Sequence, residues 1–297
     1  MIRSGMINTD HRPRRSCLYM PASNERALEK ARTLPADTII FDLEDAVAPE
    51  AKEQARDNAC AALQSGDYGN RELVVRVNAA ETPWFEEDLE QACASHANAV
   101  LVPKIISSDS IEQINAKMNG YDPSSKTQLW AMIEMPIAIL RIADIAAKGA
   151  STRLTAFVMG FNDLAKEMRA EQDRQLFTPA MAQTIMAARA YDLSVLDSVY
   201  NDFKDPDGLD VECEQGRRYG FDGKTLIHPS QIEIANKAFA PSTEKVAEAK
   251  TIVAAFDDPA NAGKGVIVVD GKMTEILHRN QAMQTIAMAD AITAMEG

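Results

Sequence analysis

Residues 128–164 read QLWAMIEMPIAILRIADIAAKGASTRLTAFVMGFNDL, and the interpretation of the whole chain depends on this stretch. It contains two short apolar segments, 129–133 and 154–159, which are followed by the carboxylates Glu134 and Asp163. Segments this short and apolar are typical of parallel strands that are buried on both faces. If they are neighbours in one sheet, their carboxyl ends meet at the edge where such sheets bind ligands.

Two converging carboxylates suit Mg²⁺, which takes one or two protein carboxylates and keeps its other positions for water and substrate oxygens. The sequence therefore predicts a magnesium site at Glu134 and Asp163. Two alternatives stay open at this point. Glu134 can be a solvated residue at a strand end, and Asp163 can be the N-cap of a helix that begins at Leu164, since Asp is a preferred N-cap.

The same alternation of short apolar segments with helical periodicity runs from residue 16 to residue 239. We identify eight strand candidates, at 17–20, 38–43, 73–78, 99–104, 129–134, 154–160, 194–199 and 224–228. Helix signals lie between them, at 25–32, 50–64, 84–94, 108–118, 136–148, 180–190, 209–218 and 229–239. Eight consecutive units of this kind predict an α/β fold, the (β/α)8 TIM barrel.

Three segments follow from this pattern. Residues 1–14 have little apolar content and are expected to form a flexible tail, and residues 15–240 form the barrel. Residues 241–297 lie beyond the eighth unit and predict a C-terminal helical extension, which must pack on the barrel or on a neighbouring subunit. Its elements are a helix at 242–256 capped by Ser242, a short strand at 266–269 and a last helix from 274 to 295.

Composition narrows the possible partners. Acidic residues outnumber basic ones 44 to 31, and the net charge of −13 opposes general binding to nucleic acid or to an anionic membrane. No apolar run approaches the length of a membrane span, and the first residues lack a signal peptide's apolar region, so we expect a cytoplasmic protein. The four cysteines have neither disulfide nor zinc-ligand spacing.

The carboxyl ends of barrel strands supply the catalytic residues of such folds, and here all eight ends are polar. The candidates are Tyr19, Asp42 with Glu44 and Asp45, Arg76 with Asn78, Lys104, Glu134, Asp163, Asp197 and His228. Packing alone does not require polar groups at every strand end. The joint pattern therefore favours an active site.

These motifs also resemble a known family. The stretches are Tyr19-Met20-Pro21-Ala22-Ser23, Phe41-Asp42-Leu43-Glu44-Asp45, Arg76-Val77-Asn78, Pro103-Lys104, Asn162-Asp163-Leu164 and Gly220-Phe221-Asp222-Gly223-Lys224. Together with Glu134 and Ile227-His228-Pro229 they are similar to the citrate lyase β-subunit (HpcH/HpaI aldolase) family, which includes malyl-CoA, β-methylmalyl-CoA and citramalyl-CoA lyases. The resemblance runs in order from residue 15 to the end of the chain.

The resemblance implies a barrel that binds Mg²⁺, or alternatively Mn²⁺, through Glu134 and Asp163 and acts on a coenzyme A thioester. The implied reaction cleaves or forms a C–C bond in a 3-hydroxyacyl-CoA such as malyl-CoA, with a 2-oxo acid as the other partner. Arg76 would stabilise oxyanion charge, with Glu44 and Asp45 beside it. The expected coenzyme A contacts are Arg26 and Lys30 with its phosphates, Tyr19 and Pro229. A homotrimer or homohexamer is also implied.

The sequence departs from the family pattern in the last helix. Where relatives carry an Asp that reaches a neighbouring subunit and handles the proton on the α-carbon, this chain has Glu275, and the nearby Pro is missing. Glu275 is therefore a candidate acid–base group with an altered position. The alternatives left open are a malyl-CoA thioesterase, a Schiff-base lysine at Lys104, and a subunit that acts on an acyl-carrier-protein thioester or has no catalytic role.

Overall fold

Eight parallel strands close into a barrel in the computed structural model, which describes residues 12–296. Each strand pairs with the next in chain order, and the first pairs with the eighth. The strands are β1 (Ser16–Pro21), β2 (Thr38–Asp42), β3 (Glu72–Arg76), β4 (Ala99–Val102), β5 (Gln128–Ile133), β6 (Leu154–Met159), β7 (Ser194–Asp197) and β8 (Gly223–Leu226). The predicted (β/α)8 barrel is confirmed.

Most of the strands are largely apolar because both of their faces are buried. One face points into the barrel, where Ile40, Val74, Leu101, Trp130, Val158 and Leu196 pack against one another. The other face packs under the helices and contains Phe41, Val75, Val100, Phe157 and Val195. Side chains alternate between the two faces along each strand, so a residue's position in the strand decides whether it points into the barrel.

Ten α-helices of the described residues surround the barrel. They are α1 (Glu25–Ala31), α2 (Lys52–Ser65), α3 (Phe85–Ala94), α4 (Ser108–Tyr121), α5 (Pro136–Leu140), α6 (Ile142–Ala147), α7 (Phe161–Met168), α8 (Thr178–Ala190), α9 (Pro206–Tyr219) and α10 (Ile232–Phe239). The single helix predicted at 136–148 is wrong, because Arg141 leaves helical geometry, with φ −114° and ψ 13°, and separates α5 from α6. No helix among residues 12–296 has both the length and the hydropathy to cross a membrane.

Buried ion pairs close the amino-terminal end of the barrel. The guanidinium of Arg14 forms two hydrogen bonds of 2.7 Å to the carboxylate of Glu72 and one of 2.8 Å to Ser194 Oγ. It also lies 5.0 Å from the ring of Trp130. Residues 1–11 of the predicted tail lie outside the described residues. The prediction that the tail extends to Arg14 is wrong, because these contacts hold Arg14 in the barrel unit.

The chain divides into two compact units, of which one comprises residues 14–239 and the second includes residues 240–297. The described part of the second unit contains α11 (Thr243–Asp257), a hairpin of β9 (Val266–Val269) and β10 (Lys272–Glu275), and α12 (Ile276–Glu296). Ser242 caps α11 as predicted, through a hydrogen bond from Lys245 N to its side chain. The predicted start of the last helix at residue 274 is wrong, because Thr274 and Glu275 pair with β9 instead.

Candidate active site

A cavity of about 320 Å³ lies at the carboxyl ends of the barrel strands. Residues from seven strand ends or the loops after them line it, among them Tyr19, Arg76, Glu134, Asp163, Ser198 and Thr225. The two carboxylates predicted to converge, Glu134 and Asp163, thus face the same space. Arg76 and Glu134 lie two residues beyond the inward-facing Val74 and Met132, so the alternation of the strands aims both into the barrel mouth.

Glu134 is a buried carboxylate with little protein contact to balance its charge. It is 1% exposed, and its Oε1 accepts a hydrogen bond of 2.8 Å from the backbone N–H of Lys104. Burial and the neighbouring charge of Glu44 raise the pKa of Glu134 to about 8, against the hydrogen bond from Lys104 and the charge of Arg76, which lower it. The alternative of a solvated strand-end residue is therefore wrong.

Gly160, directly after β6, makes room for this carboxylate. A Cβ atom on Gly160 would lie 2.5 Å from Glu134 Oε2 and 2.8 Å from Glu134 Cβ, closer than real Cβ contacts allow. Its φ of −124° suits any residue, so the requirement for glycine is one of space and not of backbone conformation. Sequence reasoning assigned no role to Gly160.

Gly160→Ala is expected to weaken Mg²⁺ binding about 10-fold or more, because the new methyl group would push the Glu134 carboxylate out of its position. Mutation of a group that supports a metal ligand commonly lowers metal affinity by about 10–100-fold. Calorimetric titration with Mg²⁺ measures this change. Gly149→Ala is the matched control, since its Cβ would meet the Leu193 side chain 2.6 Å away and so brings a similar clash elsewhere in the barrel. Equal Mg²⁺ affinities in the two variants would refute the steric explanation.

Asp163 lies in the first turn of α7 and is half-buried. Its alternative role as an N-cap is wrong, since α7 begins at Phe161 and its N-cap residue is Gly160. Among residues 12–296, no hydrogen bond to the Asp163 carboxylate is formed, and its charge acts on both Glu134 and Lys104. An uncommitted carboxylate at a cavity wall is a suitable ligand for a cation.

Arg76 is the central cation of the site. Its Nε and Nη2 donate to the two carboxylate oxygens of Asp42, each at 2.7 Å, and its guanidinium lies 4.7 Å from the ring of Tyr19. Its Nη1 also lies 3.2 Å from Glu44 Oε2 and 3.4 Å from Asp45 Oδ2. Glu44 and Asp45 thus pair with Arg76, but the bidentate partner is Asp42, its registered neighbour on β2.

The charges at this end of the barrel do not balance within the protein. Burial lowers the pKa of Arg76, but the charge and hydrogen bonds of Asp42 outweigh it and hold the pKa well above its usual value. Burial also raises the pKa of Glu44. Five carboxylates meet three cations here, namely Asp42, Glu44, Asp45, Glu134 and Asp163 with Arg76, Lys104 and Lys52. A divalent cation would supply the missing positive charge when all five carboxylates are ionised.

The donor set fits Mg²⁺ or Mn²⁺ better than zinc. Within the described part of the chain, no group of three or more His, Cys, Asp and Glu side chains is arranged to hold a metal ion. Structural zinc sites use four such ligands, whereas Mg²⁺ uses one or two carboxylates and completes its shell with water and substrate. Glu134 and Asp163 satisfy that smaller requirement, as they would for Mn²⁺.

Mg²⁺ is expected to stabilise the protein more at about pH 8.5 than at about pH 6.5. The pKa of Glu134 is about 8 in the fold against an ordinary 4.5, so the metal-free fold keeps a proton that the unfolded chain releases. Its contribution to stability therefore falls as pH rises from 4.5 to 8. A Mg²⁺ ion held by Glu134 would have to displace this proton, so its affinity is expected to rise over the same range and to level off above it.

Thermal unfolding with and without Mg²⁺ at the two pH values tests this dependence. Glu134→Gln is the control, because a glutamine has no proton to release and should show neither the Mg²⁺-induced rise in Tm nor its change with pH. A rise in Tm that is equal at both pH values in the parent protein would exclude Glu134 as the titrating ligand.

Other predicted residues lie outside the cavity lining. Arg26 and Lys30 are exposed on α1, and Pro229 is half-buried at the start of a short 3-10 turn after β8. Glu275 is exposed at the end of β10 in the second unit. The polar strand end at Asp197 is not part of the site, because its carboxylate points outward and binds Arg174 and Lys224.

Lys104 is poorly suited to the alternative role of a Schiff-base lysine. Its Nζ lies 3.1 Å from Glu44 Oε1. Burial lowers the pKa of Lys104, but the charge and hydrogen bond of Glu44 outweigh it and raise the pKa above the usual value. A Schiff-base lysine must lose its proton to act as a nucleophile, and this environment opposes that loss.

The chain is similar to proteins of one family along the barrel. A family model described as HpcH/HpaI aldolase/citrate lyase matches residues 15–229. The (3S)-malyl-CoA thioesterase of Cereibacter sphaeroides is 48% identical over 284 residues, which cover 95% of this chain and 96% of that protein. The citrate lyase subunit beta of Escherichia coli is 34% identical over 285 residues, 93% of each chain.

A solved structure with bound ligands has the same fold. The crystal structure of protein CitE from Mycobacterium tuberculosis in complex with magnesium, acetoacetate and coenzyme A covers 93% of this chain and 97% of its own. Its sequence identity to this chain is 26% and its TM-score is 0.72. Magnesium and coenzyme A are thus ligands of a protein similar to this one.

Proposed function

This chain belongs to the HpcH/HpaI aldolase/citrate lyase family, and on that premise we propose that it is a Mg²⁺-dependent thioesterase that hydrolyses a malyl-CoA-type thioester. The observation that carries the proposal is the 48% identity with a (3S)-malyl-CoA thioesterase along 95% of this chain. The cavity that contains Glu134, Asp163 and Arg76 supports it, because it combines a place for a divalent cation with a donor for oxyanion charge.

The proposed metal ligands are Glu134 and Asp163, with Mg²⁺ as the ion and Mn²⁺ as the alternative. When bound, the ion would act as a Lewis acid that polarises a substrate carbonyl. Glu134 holds a fixed position for this purpose, since β5 aims it inward and Lys104 N donates to it. Asp163 adds the second carboxylate from α7.

The reaction adds the oxygen of water to the thioester carbonyl carbon and breaks the C–S bond, so the products are malate and free coenzyme A. Arg76 would stabilise the oxyanion that forms at the carbonyl, and Asp42 keeps its guanidinium in place through two 2.7 Å hydrogen bonds. Asp45 lines the cavity with an exposed carboxylate and is our candidate to accept the proton of the attacking water. Glu44, buried beside Arg76, would orient it.

The thioester must reach this cavity from the rim of the barrel. We propose that Arg26 and Lys30 contact the phosphates of coenzyme A, and that Tyr19 and Pro229 contact the rest of the cofactor. β1 and β8 are neighbours in the barrel, so α1 and the turn at Pro229 begin in the same sector of the rim. Tyr19 alone among these four lines the cavity.

The second candidate is a C–C lyase that cleaves malyl-CoA into acetyl-CoA and glyoxylate. The 34% identity with citrate lyase subunit beta favours it, as does Arg76, which would serve an enolate oxyanion equally well. This reaction needs a group for the proton on the α-carbon, and the family resemblance implies that Glu275 replaces the family's Asp there. Hydrolysis requires no proton transfer at the α-carbon, so the presence of Glu275 in place of the family's Asp favours the thioesterase.

The quaternary arrangement belongs to the same proposal. A homotrimer or homohexamer would let Glu275 of one subunit reach the site of another, as the family resemblance implies. The hairpin that carries Glu275 also exposes Val268 at 73% and Met273 at 72%, which is a large apolar surface for a small hairpin.

The test is a product assay on the purified protein with malyl-CoA and Mg²⁺. Free coenzyme A and glyoxylate are measured separately in one reaction, with Asp163→Asn and Glu233→Gln alongside; Glu233 is exposed on α10, away from the cavity, and serves as the control. We expect free coenzyme A without glyoxylate, dependent on Mg²⁺ and Asp163. Glyoxylate without free coenzyme A would establish the lyase instead. If neither product forms, both candidate functions are overturned.

A further inference from the structure

Lys104, just beyond β4, has an unusual backbone. Its φ is +55°, in the left-handed region that non-glycine residues rarely adopt. Such positions persist where surrounding contacts hold them, and they concentrate at functional sites. The mechanism proposed above uses only the hydrogen bond from the backbone N–H of Lys104, so its left-handed conformation and its side chain need a separate explanation.

The left-handed turn aims the backbone N–H of Lys104 at a proposed metal ligand. The N–H donates to Glu134 Oε1 at 2.8 Å, the one hydrogen bond that the Glu134 carboxylate accepts among the described residues. The turn therefore fixes one oxygen of Glu134 and leaves the other, Oε2, on the side of Gly160. Removing the turn would free the carboxylate to change its position.

The side chain of Lys104 contacts Glu44, which lies beside Arg76 on the other side of the site. Lys104 Nζ lies 3.1 Å from Glu44 Oε1, and Glu44 Oε2 lies 3.2 Å from Arg76 Nη1. The backbone of this loop is also held, because the buried ammonium of Lys52 donates to the carbonyl oxygens of Leu43 and Glu44 at 2.8 Å each. Glu44 thus has a fixed backbone and a side chain that two cations share.

We propose that Lys104 is a positioning residue of the reaction site, whose left-handed backbone fixes Glu134 as a metal ligand and whose ammonium group fixes Glu44 beside Arg76. It has this role only if the cavity carries out the Mg²⁺-dependent reaction proposed above. Lys104 forms no bond to substrate in it and acts through two carboxylates, one at the metal position and one at the oxyanion donor.

Three variants separate the backbone role from the side-chain role. Lys104→Asn keeps an N–H and tolerates the left-handed region but removes the ammonium group. Lys104→Val removes the ammonium group and also disfavours the left-handed region, because a β-branched residue is an outlier there. Lys104→Arg keeps the cation and the N–H. Each variant is compared with the parent for Mg²⁺ affinity by calorimetry, for kcat and KM, and for Tm.

We expect Lys104→Asn to lower kcat about 10-fold or more while KM and Mg²⁺ affinity stay within about 3-fold, since Glu134 keeps its hydrogen bond. Lys104→Val should weaken Mg²⁺ binding about 10-fold in addition, and Lys104→Arg should retain most of kcat. Loss of Tm alone, with unchanged kcat and Mg²⁺ affinity well below the transition, would reduce Lys104 to a structural residue and overturn the proposal.

The readouts also separate this proposal from the thioesterase proposal. If the parent protein binds Mg²⁺ but does not act on malyl-CoA, the thioesterase proposal fails, and the calorimetric difference between Lys104→Val and Lys104→Asn still decides the backbone role. If the parent is active and Lys104→Asn matches it in kcat, the side-chain role fails alone. If Lys104→Val does not fold, an unchanged kcat in Lys104→Asn still contradicts the proposal.

Discussion

Glu134→Gln is expected to abolish Mg²⁺ binding in the measurable range and to lower turnover by about 1000-fold. The substitution keeps the size of the side chain but removes the charge of a proposed metal ligand that is 1% exposed. Lewis-acid stabilisation by a bound metal is worth several kcal/mol, and each 1.4 kcal/mol corresponds to about a factor of ten in rate. Calorimetric titration with Mg²⁺ and steady-state kinetics measure the two losses.

The same substitution should leave the metal-free protein at least as stable as the parent. The raised pKa of Glu134 means that burial disfavours its charged form, so a neutral side chain of the same shape removes an unfavourable charge near and above pH 8. Glu233→Gln, on the exposed face of α10, should change neither metal binding nor turnover. Turnover by Glu134→Gln within 10-fold of the parent would contradict the assignment of the metal site.

Arg76→Met is expected to lower turnover by about 100–1000-fold and to destabilise the fold by about 3–5 kcal/mol. The first loss follows from removal of an oxyanion donor. The second follows because Asp42, 1% exposed, would lose the two hydrogen bonds and the opposite charge that now balance its buried carboxylate. Kinetics and denaturant unfolding measure the two effects.

The double variant Arg76→Met/Asp42→Asn separates the loss of turnover from the loss of stability. Neutralising Asp42 removes the orphaned charge, so much of the stability should return, while the oxyanion donor is still missing and turnover stays low. Recovery of turnover together with stability would show that Arg76 supports the site only by pairing with Asp42. Recovery of stability alone is the result that we expect.

The barrel was predictable because its strands satisfy one local rule. Most of them are short, largely apolar runs, as burial on both faces requires, with β8 (Gly-Lys-Thr-Leu) as the exception, and the strand ends were placed to within a few residues. Polar strand ends therefore marked the cavity wall at Arg76, Glu134 and Asp163. Asp197 is a polar strand end that does not line the cavity. Side chains alternate between inward and outward along a strand, and Asp197 follows the inward-facing Leu196, so it points outward.

The features that escaped prediction depend on contacts between distant parts of the chain. Asp42 is the bidentate partner of Arg76 because β2 and β3 are in register there, which the order of residues alone does not reveal. The role of Gly160 depends on the approach of Glu134, 26 positions earlier, as its absent Cβ shows. β10 reads Lys-Met-Thr-Glu, and only its pairing with β9 makes it a strand.

Hydrolysis in water enriched in ¹⁸O tests the proposed function most directly. The purified protein is supplied with Mg²⁺ and malyl-CoA, and the products are analysed by mass spectrometry, with Glu134→Gln and an enzyme-free reaction as controls. Addition of water to the thioester carbon predicts malate with one ¹⁸O in its new carboxylate, together with free coenzyme A, formed only with Mg²⁺ and Glu134. Acetyl-CoA and glyoxylate as the products, without labelled malate, would contradict the thioesterase.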